Sequence, residues 1–376
     1  KNLSKKYQIT LVSFVRNLEE KKHLAQLEKY CQGVYSVLRR PAWSWQNIVL
    51  STFSHLPFLI SIYYSFTAKG IIRKLLVEEN FNLIHAETFY VMPNIPKTDI
   101  PVILVEQTIE YLVYDHFVKT APIILRPVLS WDVAKIKLWE RHFWRKAAKV
   151  VATSQTDAAF MRKLVPTLDV EIIPNGVDVE FISQKIKIRK AAPTVLFVGN
   201  FKWLQNREAV QFLIKQIWPK ILTKISSANL WIVGKNPTPV IKNLANSKIL
   251  IDDKVEDIRF AYQNSNVLLA PIFGPGGTRY KILEAMASAL PVVTTKTGIE
   301  GIPVSGGKEV LIGEDSQKLA ELTVELLKNQ KKAKDLATKA KSLVEEQFNW
   351  LKISQKLDLL YQQVGYAQKV GYAKRN

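Results

Sequence analysis

Short apolar runs alternate with stretches whose apolar residues recur three to four positions apart, from the first fifteen residues to the last third of the chain. In the first half this pattern predicts strands over 7–15, 34–38, 83–86, 102–105, 149–153 and 170–173. It predicts helices over 18–31, 61–79 and 157–164, with a further basic helix before the strand at 149. The strand ending at Ile173 runs into Pro174-Asn175-Gly176, a strong turn signal. The alternation loosens over 182–193 and then restarts. Strands are predicted at 194–198, 229–233, 249–251, 267–271 and 291–295, and helices at 207–225, 258–264 and 280–289, with helices filling the remainder. Such alternation implies βαβ units and parallel sheets. The expected architecture is α/β, two tandem Rossmann-like doubly wound domains. The first would span 1–180 and the second 194–348, joined by a linker at 181–193; 349–376 would form a C-terminal helix packing back toward the N-domain, plus a basic tail. The opening is unusual: the chain enters its first strand without a preceding unit or a Gly-rich turn. The first βα unit of the N-domain is therefore expected to be absent from this chain: either it lies upstream of Lys1, the favoured reading, or this N-domain is built without it.

Composition narrows the classes. With 47% hydrophobic residues in 376, wholesale disorder is excluded. The single Cys31 excludes an intramolecular disulfide framework and a multi-Cys metal site, and it suits a reducing compartment. No apolar stretch approaches the ~20 residues that cross a bilayer, and the N-terminus lacks a signal-peptide pattern. The expectation is a cytoplasmic protein. Lys and Arg number 53 against 33 Asp and Glu, a net charge of +20, and such a surplus attracts polyanions. Between 135 and 149, Lys135, Lys137, Arg141, Arg145, Lys146 and Lys149 are opposed only by Glu140 and interleaved with Trp139, Phe143 and Trp144. At helical spacing this is a basic face beside an aromatic one, suited to an anionic membrane surface and a peripheral position on its inner face. Equally, the aromatics of such a helix can face the core and its lysines the solvent. The aromatic segment 43–66 is a second candidate membrane or acceptor surface. The Lys-rich run 328–341 fits the solvated side of a C-terminal helix. No zinc-finger spacing or aromatic RNA-binding signature is present, so no nucleic-acid partner is expected.

The chemistry concentrates in 267–286, which runs strand, Gly-rich loop, helix. Gly274, Gly276 and Gly277 let backbone N–H groups approach an anion, and the following helix points its positive end at the same place. Arg279 and Lys281 add charge where paired phosphates would sit. Glu284, five residues after Arg279, can accept two hydroxyl hydrogen bonds from a ribose. Together these groups describe a nucleotide-diphosphate site.

These residues resemble a known family. Gly276-Gly-Thr-Arg-Tyr-Lys-Ile-Leu-Glu-Ala-Met-Ala287, followed by Leu290-Pro-Val-Val-Thr294, is similar to the donor-binding signature of GT-B retaining glycosyltransferases of the group 1/family 4 type. Further matches lie in order: Val151-Ala-Thr-Ser154, Ile173-Pro-Asn-Gly-Val-Asp178, Phe197-Val-Gly199, Ile232-Val-Gly-Lys-Asn-Pro237, Val255-Glu-Asp-Ile258 and Thr297-Gly-Ile-Glu-Gly301. The resemblance implies two domains facing a cleft. It also implies transfer of a sugar from a nucleotide diphosphate sugar, the co-substrate, to a glycan or lipid-linked acceptor in cell-surface polysaccharide or glycolipid synthesis, with neither metal nor separate cofactor. It assigns Arg279 and Lys281 to the diphosphate and Glu284 to the ribose. Gly199, Asn200, Lys202, Gly234, Gly276, Gly277 and Thr278 would line the donor, and Val255 would meet the base through its backbone.

Departures from the family pattern matter. Gly276 stands where many members carry a glutamate eight residues before the ribose glutamate. Asn200 and Gln205 stand where many have an Arg and a Lys, leaving Arg279, Lys281 and Lys202 to neutralise phosphate. In the N-domain, Glu106-Gln-Thr-Ile-Glu110 places Gln107 where relatives carry a His near the reacting sugar, with Glu106 and Glu110 as acceptor-side candidates. A Gln orients a hydroxyl but shuttles no proton near neutral pH. Two alternatives remain on the same architecture: a nucleotide-sugar-binding protein without turnover, and a nucleotide-sugar epimerase.

Overall fold

The computed structural model describes residues 1–186, 192–274 and 278–373, with side chains to residue 365. Contacts divide the chain into two units, Lys1–Ile173 with the segment from Ser354, and Pro174–Ile353.

The first unit opens with β1 (Thr10–Val15), α1 (Leu18–Leu24) and β2 (Gly33–Leu38). β1 and β2 pair in parallel from Thr10↔Gly33 to Val15↔Leu38. A βα unit thus stands at the start, but its turn is Arg16-Asn17, without glycine; Asn17 caps α1 by accepting from the Glu20 N–H. Next come α2 (Trp45–Phe53), α3 (Phe58–Tyr63), α4 (Phe66–Glu78), β3 (Ile84–Glu87) and β4 (Val102–Glu106). α5 (Glu110–Thr120), α6 (Arg126–Lys146), β5 (Lys149–Ala152), α7 (Gln155–Leu164) and β6 (Val170–Ile172) complete the sequence. β3, β4, β5 and β6 form a parallel sheet in chain order. Its inner strand β4, Val-Ile-Leu-Val-Glu, is apolar almost throughout and buried from Ile103 to Glu106, as parallel strands are. Leu104, Phe89, Ile136, Trp144 and Met161 form the middle of this core.

The second unit contains α8 (Val179–Ser183), β7 (Thr194–Val198), α9 (Leu204–Phe212), α10 (Trp218–Leu222), β8 (Asn229–Val233), α11 (Pro239–Lys242) and β9 (Ile249–Asp252). It continues through α12 (Ile258–Gln263), β10 (Val267–Ala270), α13 (Tyr280–Ala287), β11 (Val292–Thr294), β12 (Leu311–Ile312), α14 (Ser316–Lys328) and α15 (Gln330–Gln347). α16 (Trp350–Ala373) closes the chain. The sheet order β12-β11-β10-β7-β8-β9 is parallel and reverses direction at β7 and β10, the doubly wound pattern. One core lies under α9, α10 and α14, the other under α12, α13 and α15.

Several expectations need correction. The helix expected at 18–31 stops at Leu24 and tightens into a 3₁₀ turn. The helical region at 61–79 is two helices parted at Tyr64-Ser65, where the Ser65 hydroxyl caps α4. Helix 207–225 is interrupted by a π turn over Leu213–Ile217, just before Pro219, which has no N–H to continue the ladder. The end of α8, residues 181–183, falls in the first residues of the segment expected as linker, and its Ile182 lies in the second unit's core. The basic helix is α6, and Phe143, Trp144 and Lys135 are buried in it. The lysine-aromatic face expected there therefore does not exist as such: two of its three aromatics are core residues, as the alternative had it. The lysine run at 328–341 lies on α14 and α15, where Leu336, Ala337 and Ala340 turn inward.

Candidate active site

In the second unit the candidate donor residues gather where parallel strands end, the usual ligand edge of such a sheet. Gly199 follows β7 and Gly234 follows β8, and their backbones touch. A Cβ on Gly234 would stand 1.7 Å from the Gly199 carbonyl oxygen, so only glycine allows this approach. Beside them lies a cavity of about 450 Å³ walled by Val198, Val233, Gly234, Val255 and Ile258. It is large enough for a nucleoside. Asn200 Oδ1 accepts from the Lys202 N–H at 3.1 Å and from Asn236 Nδ2 at 3.2 Å, which shapes the loop; the Lys202 side chain is exposed.

β10, buried along its whole length, delivers the chain to the donor loop. Gly276 and Gly277 lie outside the described residues. Thr278 Oγ1 accepts from Asn175 Nδ2 at 3.4 Å, so the Pro174-Asn175-Gly176 turn belongs to this site. Arg279, at the N-cap of α13, donates from Nη2 to the Gly274 carbonyl at 2.7 Å. Lys281 donates to Asn206 Oδ1 at 2.6 Å, and its ammonium lies 4.5 Å from the Phe197 ring centroid. Burial, and then the neighbouring Arg279 charge, push the Lys281 pKa down to about 7. Glu284 Oε2 accepts from the Tyr262 hydroxyl at 2.7 Å, and burial raises its pKa. Two cations and a carboxylate are thus fixed along the first turns of one helix, in an environment that favours neutralising the cations with a bound anion. Asn206, Phe197 and Tyr262 hold these groups, and nothing in their sequence spacing marks them. Among the described residues no cluster of His, Cys, Asp and Glu is arranged to hold a metal.

In the first unit the candidates separate. Gln107 follows β4; its Nε2 donates to Glu87 Oε2 at 2.9 Å. Glu87 Oε1 lies 2.9 Å from His85 Nε2, whose Nδ1 is 2.5 Å from the Tyr361 hydroxyl of α16. A chain of polar contacts therefore fixes the Gln107 carboxamide. Glu110 begins α5, half-buried, and burial pushes its pKa up to about 7. Glu106, expected on the acceptor side, is instead sealed in the core. It accepts from Trp144 Nε1 at 2.9 Å and from the Phe89 N–H at 3.3 Å. Burial, reinforced by Glu140, holds its pKa well above the usual carboxylate range. Glu140 was visible in the sequence only as a lone acid in a basic helix. It reaches from α6 to accept from the Glu110 and Tyr111 N–H groups at 2.7 and 3.2 Å, capping α5 from outside.

Two parallel α/β units in tandem are the architecture of GT-B glycosyltransferases. Sequence profiles agree: residues 8–181 match the family described as Glycosyltransferase Family 4, and 192–329 match that described as Glycosyl transferases group 1. The chain belongs to this group 1/family 4 set of glycosyltransferases. It is 23% identical over 168 residues to an uncharacterized 44.6 kDa protein in the cps region of Klebsiella pneumoniae, covering 42% of this chain and 43% of that protein. The chain spans about half the length of the curated relatives it matches. Among solved structures, sucrose-phosphate synthase of Thermosynechococcus elongatus superposes with a TM-score of 0.68 at 17% identity, over 90% of this chain and 84% of that one. Anabaena Alr3699/HepE in complex with UDP and glucose superposes with a TM-score of 0.65 at 15% identity, over 94% and 91%.

Proposed function

We propose that the protein transfers a sugar, with retention of anomeric configuration, from a nucleotide diphosphate sugar to a glycan or lipid-linked acceptor in cell-surface polysaccharide or glycolipid synthesis. The observation that carries the reading is the Arg279–Lys281–Glu284 arrangement at the start of α13. In the reaction the bond between the sugar's anomeric carbon and the β-phosphate oxygen breaks, and a bond from that carbon to an acceptor hydroxyl oxygen forms. The acceptor's proton passes to the departing phosphate oxygen. Arg279, Lys281 and the helix end, not a metal ion, stabilise the charge that builds on the diphosphate; this interaction strengthens toward the transition state. Glu284, oriented by Tyr262, receives the ribose hydroxyls. Gly199, Gly234 and Val255 border the nucleoside, and Asn200, Lys202 and Thr278 frame the phosphates. Gln107, fixed by Glu87, holds a sugar hydroxyl on the acceptor side beside Glu110.

Support for the surface-polysaccharide setting comes from the relative in a cps region, and support for the donor class from the solved structure with UDP and glucose. A thermal-shift panel of UDP-, GDP-, ADP- and dTDP-sugars selects the donor, because a ligand of the native state raises its stability. Transfer is then followed with labelled donor, and product anomers are assigned by proton NMR. Arg279→Ala and Glu284→Ala are each expected to lower kcat/KM at least tenfold, a loss of roughly 1.4 kcal/mol or more. Binding without transfer to any glycan or lipid acceptor would favour a nucleotide-sugar-binding protein, and an inverted product would overturn retention.

A further inference from the structure

β3 reads Ile-His-Ala-Glu, and strand alternation puts His85 and Glu87 on one face, two positions apart. β3 and β4 run parallel with Glu87 opposite Val105, so both deliver their carboxyl ends to one edge, where such sheets bind ligands. Glu87 ends β3 and Gln107 follows β4. Both Glu87 oxygens are held: Oε2 accepts from Gln107 Nε2 at 2.9 Å, and Oε1 lies 2.9 Å from His85 Nε2. With the His85 proton on Nε2, its Nδ1 accepts from the Tyr361 hydroxyl at 2.5 Å. Tyr361 packs edge-on against Tyr7, ring centroids 5.5 Å apart, and the Tyr7 hydroxyl donates to Asp358 Oδ1 at 2.6 Å. A line of side chains thus fixes one carboxylate that stays 57% exposed. Ion pairs of exposed carboxylates add little stability, so folding alone does not account for this arrangement.

The next residue makes a strained corner. Thr88 is β-branched yet stands at φ +71°, a region that favours glycine, and its buried hydroxyl has no hydrogen-bond partner. Its N–H donates to the Val105 carbonyl at 2.8 Å, and the Phe89 N–H then turns under to Glu106 at 3.3 Å. The corner leaves Glu87 at the rim while Phe89 enters the core. Strain of this kind gathers at ligand sites. The charge there is one-sided. Segments 84–94 and 102–114, which make this edge, contain Glu87, Glu106 and Glu110 and no lysine or arginine. Glu106 is sealed beneath Trp144, so Glu87 and Glu110 are the acids left at the rim. Partial burial opposes the Glu87 charge, but His85 and the Gln107 amide hold its pKa below the usual carboxylate range.

We propose that Glu87 sets the acceptor specificity of the first unit: its carboxylate accepts a hydrogen bond from a hydroxyl of a neutral acceptor sugar and excludes sugars that bring a carboxylate or phosphate to the same place. This rests on reading the first unit as the acceptor side of the transfer. Each carboxylate oxygen has a lone pair beyond the one turned to Gln107 or His85, and a hydroxyl can donate to it where an anion cannot. Glu87 takes up no proton; it orients a hydroxyl, and the reacting proton leaves by the phosphate route given above. His85 and Tyr361 are positioning residues, which keep the carboxylate from turning with its bound sugar.

Saturation-transfer-difference NMR on the full chain, without donor, measures Kd for methyl glucoside, methyl galactoside and methyl mannoside and for the methyl glycosides of the matching uronic acids. The neutral glycosides are expected to bind and the uronates to bind at least about fivefold more weakly, the factor that a like charge ~4 Å away imposes even at the dielectric of water. Glu87→Gln keeps the shape and loses the charge. It should weaken the neutral glycosides about tenfold, the difference between hydrogen bonds to charged and to neutral acceptors, and bring the uronates level with them. Glu87→Asp keeps the charge but draws it back from Gln107 and His85, so it should weaken the neutral glycosides while preserving their advantage over uronates. A merely structural role would weaken both kinds of ligand alike and leave their ratio unmoved. Far-UV circular dichroism and the donor-induced thermal shift should be unchanged in both variants. A donor shift missing from the unmodified protein would count against the transferase reading instead, which keeps the two failures apart. Uronates bound as tightly as neutral glycosides by the unmodified protein, no neutral glycoside bound, or a ratio that Glu87→Gln does not move overturns the proposal.

Discussion

Lys281 offers a quantitative check on the donor site. In the folded protein its pKa is lowered from 10.5 to about 7 by burial and by the charge of Arg279. A diphosphate placed against both cations supplies the missing counter-charge and returns Lys281 to the ammonium form. Above about pH 7 donor binding must then take up a proton, and affinity falls by up to tenfold per pH unit. Between about pH 6 and pH 8 the protonated fraction of a group titrating near 7 drops from roughly nine-tenths to one-tenth, so Kd should rise about tenfold, or roughly 1.4 kcal/mol. Isothermal titration calorimetry with a nucleotide sugar measures this directly, because its diphosphate has no titrating oxygen in that range. Buffers of different ionisation heat count the proton. Lys281→Arg, which stays charged, should flatten the profile. A flat Kd in the unmodified protein, or the same slope in Lys281→Arg, would refute the reasoning. Stability without ligand carries the matching sign. The unfolded chain binds the extra proton between about pH 7 and 10.5, so this residue's destabilisation is complete below that window and fades as pH rises through it.

Gly234→Ala must push the Gly199 carbonyl away, since the added Cβ would lie 1.7 Å from its oxygen. The expected result is a lowered Tm and loss of the donor-induced thermal shift; a shift of normal size would show that the loop yields. Tyr262→Phe removes the hydroxyl that orients Glu284. A hydrogen bond to a charged group contributes ~1.5–3 kcal/mol, so donor KM should rise at least tenfold with far-UV circular dichroism unchanged. Glu140→Ala strands two N–H groups at the start of α5. Its destabilisation should reach ~2–6 kcal/mol by urea unfolding, at ~1–3 kcal/mol per unsatisfied group; a loss below 1 kcal/mol, about the worth of one ordinary hydrogen bond, would mean that water replaces the cap.

The alternation of apolar runs and helical stretches placed most strands within a residue or two, and β7 and β8 over their full lengths. Those strands are buried on both sides, so local hydrophobicity and tertiary demand coincide. That Arg279, Lys281 and Glu284 stand at the start of one helix was legible because spacing along the chain carries that placement. Tyr262 and Asn206 were not legible, because they reach the site from other elements and their roles exist only once the sheet has formed. Glu106 shows the opposite error: its place in a motif suggested an acceptor contact, yet its own strand carries it inward beneath Trp144. In α6, periodicity identified a helix with two faces but could not say which aromatics faced the core. That depended on α2 and on the buried ion–carbonyl contacts of Lys135, which no local pattern encodes.

Glu140 and the exposed Trp131 and Leu138 sit on the same twenty-one-residue rod. Each helical residue turns its neighbour by about 100°. A single insertion between Trp131 and Leu138 would therefore turn Leu138, Glu140 and His142 together by about that angle relative to the start of the helix, and swing the capping acid off α5. The length of α6 in this stretch is therefore tied to the seating of the loop that begins at Gln107, whereas its outward side chains are not.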